Sequence, residues 1–216
     1  MRITALQQQA TNADRVNIFV DERFLMGAGA LVVMQLGLRV GQELSEAQLE
    51  QLRSDEALQQ AVDRALNYLS FRPRSQREVR DYLRRKDTPP ELIDAALARL
   101  EQLNLVNDRD FASFWLETRE QFSPKGARAL KNELRIKGVE REIVDEVVDD
   151  EQDEERAQRA AEKKVYSLLR LPGIDYATFQ RRLGSFLQRR GFGYDVTSRV
   201  VKQLWEEYEE HKEEEE

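Results

Sequence analysis

A segment of about fifty residues occurs three times in this sequence, and this recurrence limits the possible folds more than any other feature. The clearest copy spans residues 72–97, and the same pattern returns 51 residues later (Leu83 to Leu134) and 53 residues after that (Leu134 to Leu187). Four apolar positions align in each copy: Val79, Leu83, Leu92 and Ala96; Leu130, Leu134, Ile143 and Val147; Leu183, Leu187, Val196 and Val200. A repeat of this length is typical of helical arrays, so we predict three similar helical modules.

The spacing of apolar residues predicts three helices in each module. In the first module, the apolar positions of residues 58–69 recur every three or four residues, as on one face of a helix. Ser75 and Glu78 have the spacing of a capping box, which predicts that a second helix begins at Gln76. Pro89 is typical of a first helical turn and indicates the start of the third helix.

The N-terminal residues follow a different pattern. Residues 1–24 are predicted to form two or three short strands of a small sheet, because Val16, Ile18 and Val20 alternate with polar residues. Residues 31–36 are then predicted to form a short helix that ends before a glycine.

The predicted fold class is therefore mostly α, with tandem three-helix repeats of helix-turn-helix-like type behind a small β-containing N-terminal region, in an elongated arrangement. A helix that opens at Ser45 is predicted to stop at Ser54, where the chain restarts into the first module. The predicted segments are an N-terminal strand and helix region at 1–54, three-helix repeats at 55–105, 106–149 and 150–205, the last with an acidic lead-in, and an acidic tail at 206–216.

Charge is distributed unevenly along the chain, whose formal net charge is -7. Residues 145–155 carry eight acids and no base, and residues 206–216 carry eight acids and one lysine. By contrast, residues 72–86 carry seven bases and two acids. We predict that the first acidic run is a linker and that the second is a disordered tail. An acidic net charge also argues against a dedicated nucleic-acid-binding protein.

Basic residues line the second helix of two modules. At about 100° per residue, Arg77, Arg80 and Arg84 share one helix face, opposite Val79 and Leu83. A shift of 51 residues places a second basic stripe on the next module. Such a stripe is either a solvated face with local ion pairs or a cationic surface that binds an acidic partner. The candidate partner-binding residues, which we call the basic ridge, are Arg77, Arg80, Arg84, Lys86, Lys125, Arg128, Lys131, Arg135 and Lys137.

The third module keeps little of this stripe. Its equivalent positions are Arg181, Gly184 and Gln188, of which one is basic. We therefore expect partner binding to depend mainly on the first two modules.

Several classes of function are disfavoured. The chain has no cysteine, which excludes disulfides and thiolate metal sites and suits the cytoplasm. The acids of residues 149–154 have no strand scaffold or histidine to orient them around metal ions, and phosphate-binding and nucleophile motifs are absent. The longest apolar run, residues 29–36, is too short to span a membrane. We predict a cytoplasmic protein that is not an enzyme, without metal, cofactor, small-molecule substrate or membrane partner.

Four segments, taken in order, resemble the RecX regulatory proteins. They are GLRVGQEL at residues 37–44, ALNYLS to EVRDYL at 65–83, LVND leading to FA at 105–112, and KG followed by ELRIKGV at 125–139. Each segment is a weak signal alone, but their order is specific, and the resemblance covers about residues 1–205. The depleted stripe of the third module and the Glu-rich tail depart from the family pattern.

The resemblance implies a fold of three tandem three-helix repeats and a non-enzymatic regulator that binds the filament of the RecA recombinase in its helical groove. It implies modulation, with inhibition favoured over stimulation, of ATP hydrolysis, strand exchange and the coprotease activity in DNA repair, recombination and the SOS response. Weak binding to single- or double-stranded DNA is compatible with this function. The alternative is a direct DNA-binding module, because three-helix units with a basic helix resemble helix-turn-helix domains. The acidic net charge favours the filament.

The elongated arrangement leads to the first prediction. A compact domain of this length has a radius of gyration of roughly 17 Å, so we expect small-angle scattering to give a clearly larger value. A measured radius close to the compact value would contradict the predicted arrangement.

Overall fold

A small sheet precedes a series of helices in the computed structural model, which describes the backbone of residues 1–215 and the side chains of residues 1–212. This order confirms the predicted fold class of a β-containing N-terminal region followed by three-helix repeats. The strands are β1 (Ile3–Gln9), β2 (Asn12–Val20) and β3 (Arg23–Gly29). The helices are α1 (Ala30–Gln35), α2 (Glu46–Leu69), α3 (Gln76–Arg84), α4 (Pro90–Gln102), α5 (Asp108–Phe122), α6 (Ala127–Ile136), α7 (Arg141–Val147), α8 (Asp153–Leu169), α9 (Tyr176–Arg189) and α10 (Tyr194–Glu215).

The three strands form an antiparallel sheet in the order β1, β2, β3. Asp21 and Glu22 join β2 to β3 with φ angles of 46° and 65°, as in the two-residue turns that suit the twist of a hairpin. Ile3 and Ile18 are fully buried and pack with Val32 of α1 in the N-terminal core. The predicted sheet is confirmed, and its third strand is present.

The predicted break at Ser54 is wrong, because α2 is one continuous helix over Glu46–Leu69. The side chain of Glu56 explains this continuity. It is buried, and its carboxylate accepts hydrogen bonds from the Gly29 amide at 2.6 Å and from Arg15 at 2.7 Å. These bonds tie the middle of α2 to the sheet, so tertiary contacts outweigh the modest helix propensity of serine.

Three helical modules follow, and each has its own apolar core. The second half of α2 packs with α3 and α4, α5 packs with α6 and α7, and α8 packs with α9 and α10. The aligned apolar positions of the three middle helices are all buried, at 0 or 1% exposure: Val79, Leu83, Leu130, Leu134, Leu183 and Leu187. The predicted repeat of helices is therefore confirmed at the level of the cores.

The chain divides into two compact units, which are considered separately below. The first unit contains residues 1–72 and 79–106, and the second contains residues 73–78 and the chain from residue 107 onward. The second unit thus holds the second and third modules together with the first turn of α3.

The first turn of α3 is held within the second unit by a specific joint. The Ser75 hydroxyl donates to the Lys137 carbonyl at 2.6 Å, and the Gln76 amide donates to the Asp108 carboxylate at 2.8 Å. Gly138, the residue after Lys137, has a φ of 87°. A Cβ added to Gly138 would lie 2.5 Å from the side chain of Arg77 in α3. The joint therefore requires glycine both for its backbone angle and for its space.

The same joint recurs between the second and third modules. The Gly126 amide donates to the Arg190 carbonyl at 3.0 Å, and the Ala127 amide donates to the Asp153 carboxylate at 2.7 Å. Gly191 has a φ of 88°, and a Cβ there would lie 2.4 Å from a methyl carbon of α6. Equivalent residues thus make equivalent contacts, because each aligned position serves the same joint.

This geometry predicts that Gly191→Ala destabilises the protein more than Gly173→Ala. Both residues have positive φ, but Gly173 has no atom within 4 Å of the added Cβ. Gly173→Ala should cost about 1 kcal/mol from backbone strain alone, whereas Gly191→Ala should add about 1–3 kcal/mol from overlap. Thermal unfolding followed by circular dichroism measures the difference, and equal melting temperatures for the two variants would contradict the close approach.

The predicted disorder of the acidic tail is wrong for the residues described, because α10 is one helix over Tyr194–Glu215. Residue 216 lies outside the described residues. The ring centres of Trp205 and Tyr208 lie 5.4 Å apart on this helix. Lys202 forms an ion pair with Glu206, one turn further along, at 3.5 Å. Glutamate, lysine and glutamine also favour helix, so the sequence supports continuation of α10.

Candidate partner-binding surface

α3 carries the first part of the basic ridge on the face opposite its buried residues. The side chain of Arg84 is 66% exposed and donates a hydrogen bond to Asp81 at 2.8 Å. Arg80 is partly exposed and forms an ion pair with Asp94 of α4. Exposed pairs of this kind contribute little to stability, so both cations can exchange their partner at low cost.

The other two ridge residues near α3 have different surroundings. Arg77 lies in the second unit, where its side-chain stem packs against Gly138. Lys86 follows the end of α3, is exposed, and lies 6.0 Å from the centre of the Tyr82 ring. Tyr82 in turn stacks on Tyr68 with ring centres 4.2 Å apart. Packing therefore orients the stem of Arg77, while Lys86 lies at the edge of an aromatic pair.

α6 carries the second part of the basic ridge. Lys131 donates to Asp150 at 2.6 Å and lies 3.6 Å from Asp145, and the hydrogen bond to Asp150 raises the pKa of Lys131. Arg135 lies 3.9 Å from Asp145. Arg128 is exposed and forms no ion pair with any residue that the structure describes. Arg128 is therefore the ridge cation of α6 that is available to a partner without loss of an internal pair.

The acids that neutralise α6 come from the acidic run at residues 145–155. The linker is shorter than predicted, because only residues 148–152 lie between α7 and α8. Arg156 is fully buried and donates to the Asp149 carbonyl at 2.6 Å and to the Asp153 carboxylate at 3.3 Å. Burial raises the pKa of Asp153 and outweighs the hydrogen bonds that this carboxylate accepts. The run is thus part of the folded structure of the second unit.

Two ridge residues of α6, Arg128 and Arg135, line an open groove of about 650 Å³ in the second unit. The opposite walls include Asp150 and Asp153 and the turn at Gly191 after α9. Positive and negative side chains both line this groove. An acidic group of a partner would meet Arg128 first, because the other cations already have internal acids.

Lys125 and Lys137 lie in a polar cluster of the second unit. Lys125 forms an ion pair with Glu133, and Lys137 forms one with Glu78 at 2.6 Å. The Lys137 ammonium also lies 4.8 Å from the centre of the Trp115 ring, whose N–H donates to Glu133 at 2.9 Å. The structure therefore places these two lysines in internal contacts, apart from the exposed stripe that the sequence suggested.

Glu133 is the centre of this polar cluster. Arg119 donates to its carboxylate at 2.8 Å and stacks over Trp115 at 4.6 Å. Burial acts to raise the pKa of Glu133, but the hydrogen bonds from Lys125, Trp115 and Arg119 outweigh it and lower the pKa. Trp115 is thus both a partner of the apolar core and the donor that helps keep Glu133 ionised.

The cluster predicts a pH-dependent loss of stability in Glu133→Gln. A carboxylate whose folded pKa is lowered stabilises the protein above its unfolded pKa of about 4.3 and loses this contribution as the pH falls through the folded value. We expect Glu133→Gln to cost about 1–3 kcal/mol at pH 7, and the difference from the parent to shrink below about pH 4. Urea unfolding at pH 7 and at a pH below about 4 measures this difference in stability. Glu117→Gln, at an exposed position of α5, is the control. A constant difference across pH would contradict the assignment.

Sequence patterns missed the acids that face the basic ridge. The one sequence signal for these acids was the concentration of eight of them in residues 145–155, where the second module meets the third. The cluster around Glu133 gave no comparable signal, because its members come from three helices, α3, α5 and α6, and from the loop residues on either side of α6. Among the side chains of residues 1–212, no group of three or more metal-binding residues occurs. Across residues 1–215, no helix has the length and apolar character needed to cross a membrane.

Known domain families match the chain in the order of its modules. The matches are the Regulatory protein RecX N-terminal domain at residues 1–45 and the first, second and third three-helix domains of RecX at residues 61–100, 107–148 and 150–201. The fold and these matches define a regulatory protein built from an N-terminal domain and three three-helix domains.

Individual relatives agree with the domain matches. The Regulatory protein RecX of Bacillus pumilus is 32% identical over 214 residues, which are 99% of this chain and 81% of that protein. The Regulatory protein RecX of Bacillus subtilis is 30% identical over 207 residues, 96% of this chain and 78% of that protein. The chain therefore belongs to the RecX family.

Two crystal structures have the same fold. A structure of regulatory protein RecX has a TM-score of 0.75 and 24% identity, and it covers 93% of this chain and 98% of its own. The structure of RecX from Lactobacillus salivarius has a TM-score of 0.59 and 28% identity, and it covers 69% of this chain and 97% of its own.

Proposed function

We propose that this protein is a cytoplasmic, non-enzymatic regulator that binds the filament of the RecA recombinase through the basic ridge. Binding inhibits the ATP hydrolysis, strand exchange and coprotease activity of the filament in DNA repair, recombination and the SOS response. Membership of the RecX family supports a regulatory role. The observation that carries the choice of surface is the equivalent placement of basic stripes on α3 and α6.

The exposure of the stripes supports a role in binding rather than in folding. On α3, Val79 and Leu83 are fully buried while Arg84 is mainly exposed. On α6, Leu134 is fully buried while Arg128 is exposed. The core therefore does not need these cations, and their recurrence favours an acidic partner over a solvated face.

The internal acids favour a protein filament over bare DNA as that partner. Each ridge cation that pairs with Asp81, Asp94, Asp145 or Asp150 must exchange one acid for another on binding. A phosphodiester backbone would repel those displaced acids and the net charge of -7. A protein surface of mixed charge can instead accept the displaced carboxylates and so gains specificity.

Charge reversal tests this proposal. Arg84→Glu combined with Arg128→Glu changes one exposed cation on each stripe, and we expect at least about tenfold weaker binding to RecA filaments, equivalent to about 1.4 kcal/mol. Inhibition of filament ATP hydrolysis should fall in parallel. The effect should diminish above roughly 0.3 M salt, where charges are screened. Circular dichroism and melting should match the parent, because exposed substitutions usually change stability by less than about 0.5 kcal/mol.

The matched control is Arg53→Glu combined with Arg64→Glu, which changes two exposed arginines of α2 and alters the net charge equally. The control should bind filaments like the parent. If the ridge variant binds filaments like the parent, the basic ridge is a solvated face and the proposal is wrong. If the ridge variant lost binding to bare duplex DNA but kept filament regulation, the basic ridge would instead be a DNA-binding surface.

A further inference from the structure

The third module contains a pocket where the second module has its basic stripe. Arg181, Gly184 and Gln188 occupy the positions of Arg128, Lys131 and Arg135 after the shift of 53 residues. All three line a recess of about 240 Å³ between α9 and α10. The third module has thus replaced an outward row of long cations with a cavity.

Gly184 opens this cavity although the backbone does not require glycine there. It lies inside α9 with an ordinary helical φ, and a Cβ would meet only the Thr197 methyl at 3.7 Å, a normal contact. Glycine within a helix costs about 1 kcal/mol relative to alanine. The residue therefore weakens α9 without a local packing reason, and its effect is to leave the recess uncovered.

The wall of the recess contains an unsatisfied buried hydroxyl. Thr197 of α10 is 4% exposed, and its Oγ1 has no hydrogen-bond partner among the described residues. A buried polar group without a partner costs about 1–3 kcal/mol, and most buried polar groups in folded proteins do have a partner, either protein or ordered water. A ligand in the recess that accepts a hydrogen bond would give the Thr197 hydroxyl the partner that it lacks among the described residues.

The other lining groups define the chemistry of that ligand. Arg181 is the one charged residue of the lining, and Gln180 and Gln188 supply amide N–H donors. No acidic side chain lines the recess, so a cationic ligand would find no counter-charge. An acidic group would gain a charge-assisted hydrogen bond from Arg181 and neutral hydrogen bonds from the hydroxyl and amides.

Size and charge together favour one carboxylate side chain of a protein. A recess of about 240 Å³ is smaller than the roughly 300–1,000 Å³ of small-molecule sites. A nucleic-acid strand would need a row of cations along its phosphates, whereas the recess offers one arginine. The exposed Tyr194 at the rim is a residue type enriched in protein interfaces.

We infer that the recess between α9 and α10 binds an aspartate or glutamate side chain of a partner protein, with Arg181 and Thr197 as its main hydrogen-bond donors. The inference rests on the proposed function only for the identity of that partner, the filament. The third module then contributes a socket to an interface to which the first two modules contribute exposed cations.

Gly184→Lys distinguishes a recess that binds a carboxylate, called the socket here, from a basic stripe that has simply lost its cations, called the depleted stripe. The two cases predict opposite effects on binding. The variant restores a lysine at the position of Lys131 and covers the recess with its side chain. A socket predicts at least tenfold weaker binding to RecA filaments, whereas a depleted stripe predicts unchanged or stronger binding. Ser167→Lys, on an exposed position of α8, adds the same charge outside the recess and should bind like the parent. Parent-like or stronger binding by Gly184→Lys would overturn the inference.

Thr197→Val separates binding from folding. The change removes a hydroxyl that has no partner in the free protein and keeps the shape of the side chain. Melting should therefore be unchanged or higher, while filament binding should weaken several-fold. Arg181→Gln should weaken binding as well. Parent-like affinity in both variants would overturn the assignment of these donors.

A titration without the filament keeps the test independent of the proposed function. Acetyl-glutamate amide added to the ¹⁵N-labelled protein should shift the NMR signals of Gly184, Thr197 and the Gln188 side chain, with millimolar affinity. Acetyl-glutamine amide should not produce these shifts, and Gly184→Lys should abolish them. If the parent fails to bind filaments yet shows these shifts, the proposed function fails and the socket stands. Absence of glutamate-specific shifts at about 10 mM would overturn the socket.

Discussion

The close approach of two backbones at Gly126 and Gly191 determines how the second and third modules meet within the second unit. The Gly126 amide bonds to the Arg190 carbonyl at 3.0 Å, and a Cβ on Gly126 would lie 2.4 Å from the Gly191 oxygen. Side chains are thus excluded on both sides of this joint. Because Gly126 immediately precedes α6, the joint also fixes the first turn of α6 and the direction of Arg128. The packing of these two modules and the position of Arg128 therefore depend on the same contact.

Electrostatics within the modules reduce the charge that a partner meets. The sequence suggests a continuous row of cations on α6, but Lys131 and Arg135 lie close to acids of the following segment. Pairs at the surface are weak, so a partner's acid can replace an internal one with little net loss. Binding of the proposed partner would then depend on how well it matches the geometry of the exchange, which favours selectivity over strong general attraction to anions.

Local sequence patterns predicted the parts of the fold that local physics determines. Apolar spacing identified the buried faces of the middle helices, and a capping box located the start of α3 at Gln76. The same patterns missed the continuity of α2, because Glu56 is held by Arg15, which lies 41 residues earlier. They also gave no sign that Lys137 pairs with Glu78, which lies 59 residues away. Contacts between distant residues leave no periodic signal, so the candidate site was less predictable than the cores.

The third module separates the requirements of the core from those of the surface. Leu183 and Leu187 are as buried as their counterparts on α3 and α6, although the outward positions that directly follow them have changed from cations to glycine and glutamine. A helix can change its exposed face in this way because its fold depends on the opposite face. One repeated fold can therefore present cations in two modules and a recess in the third. An interface that uses all three must offer acids at its surface to the first two and a protruding carboxylate to the last.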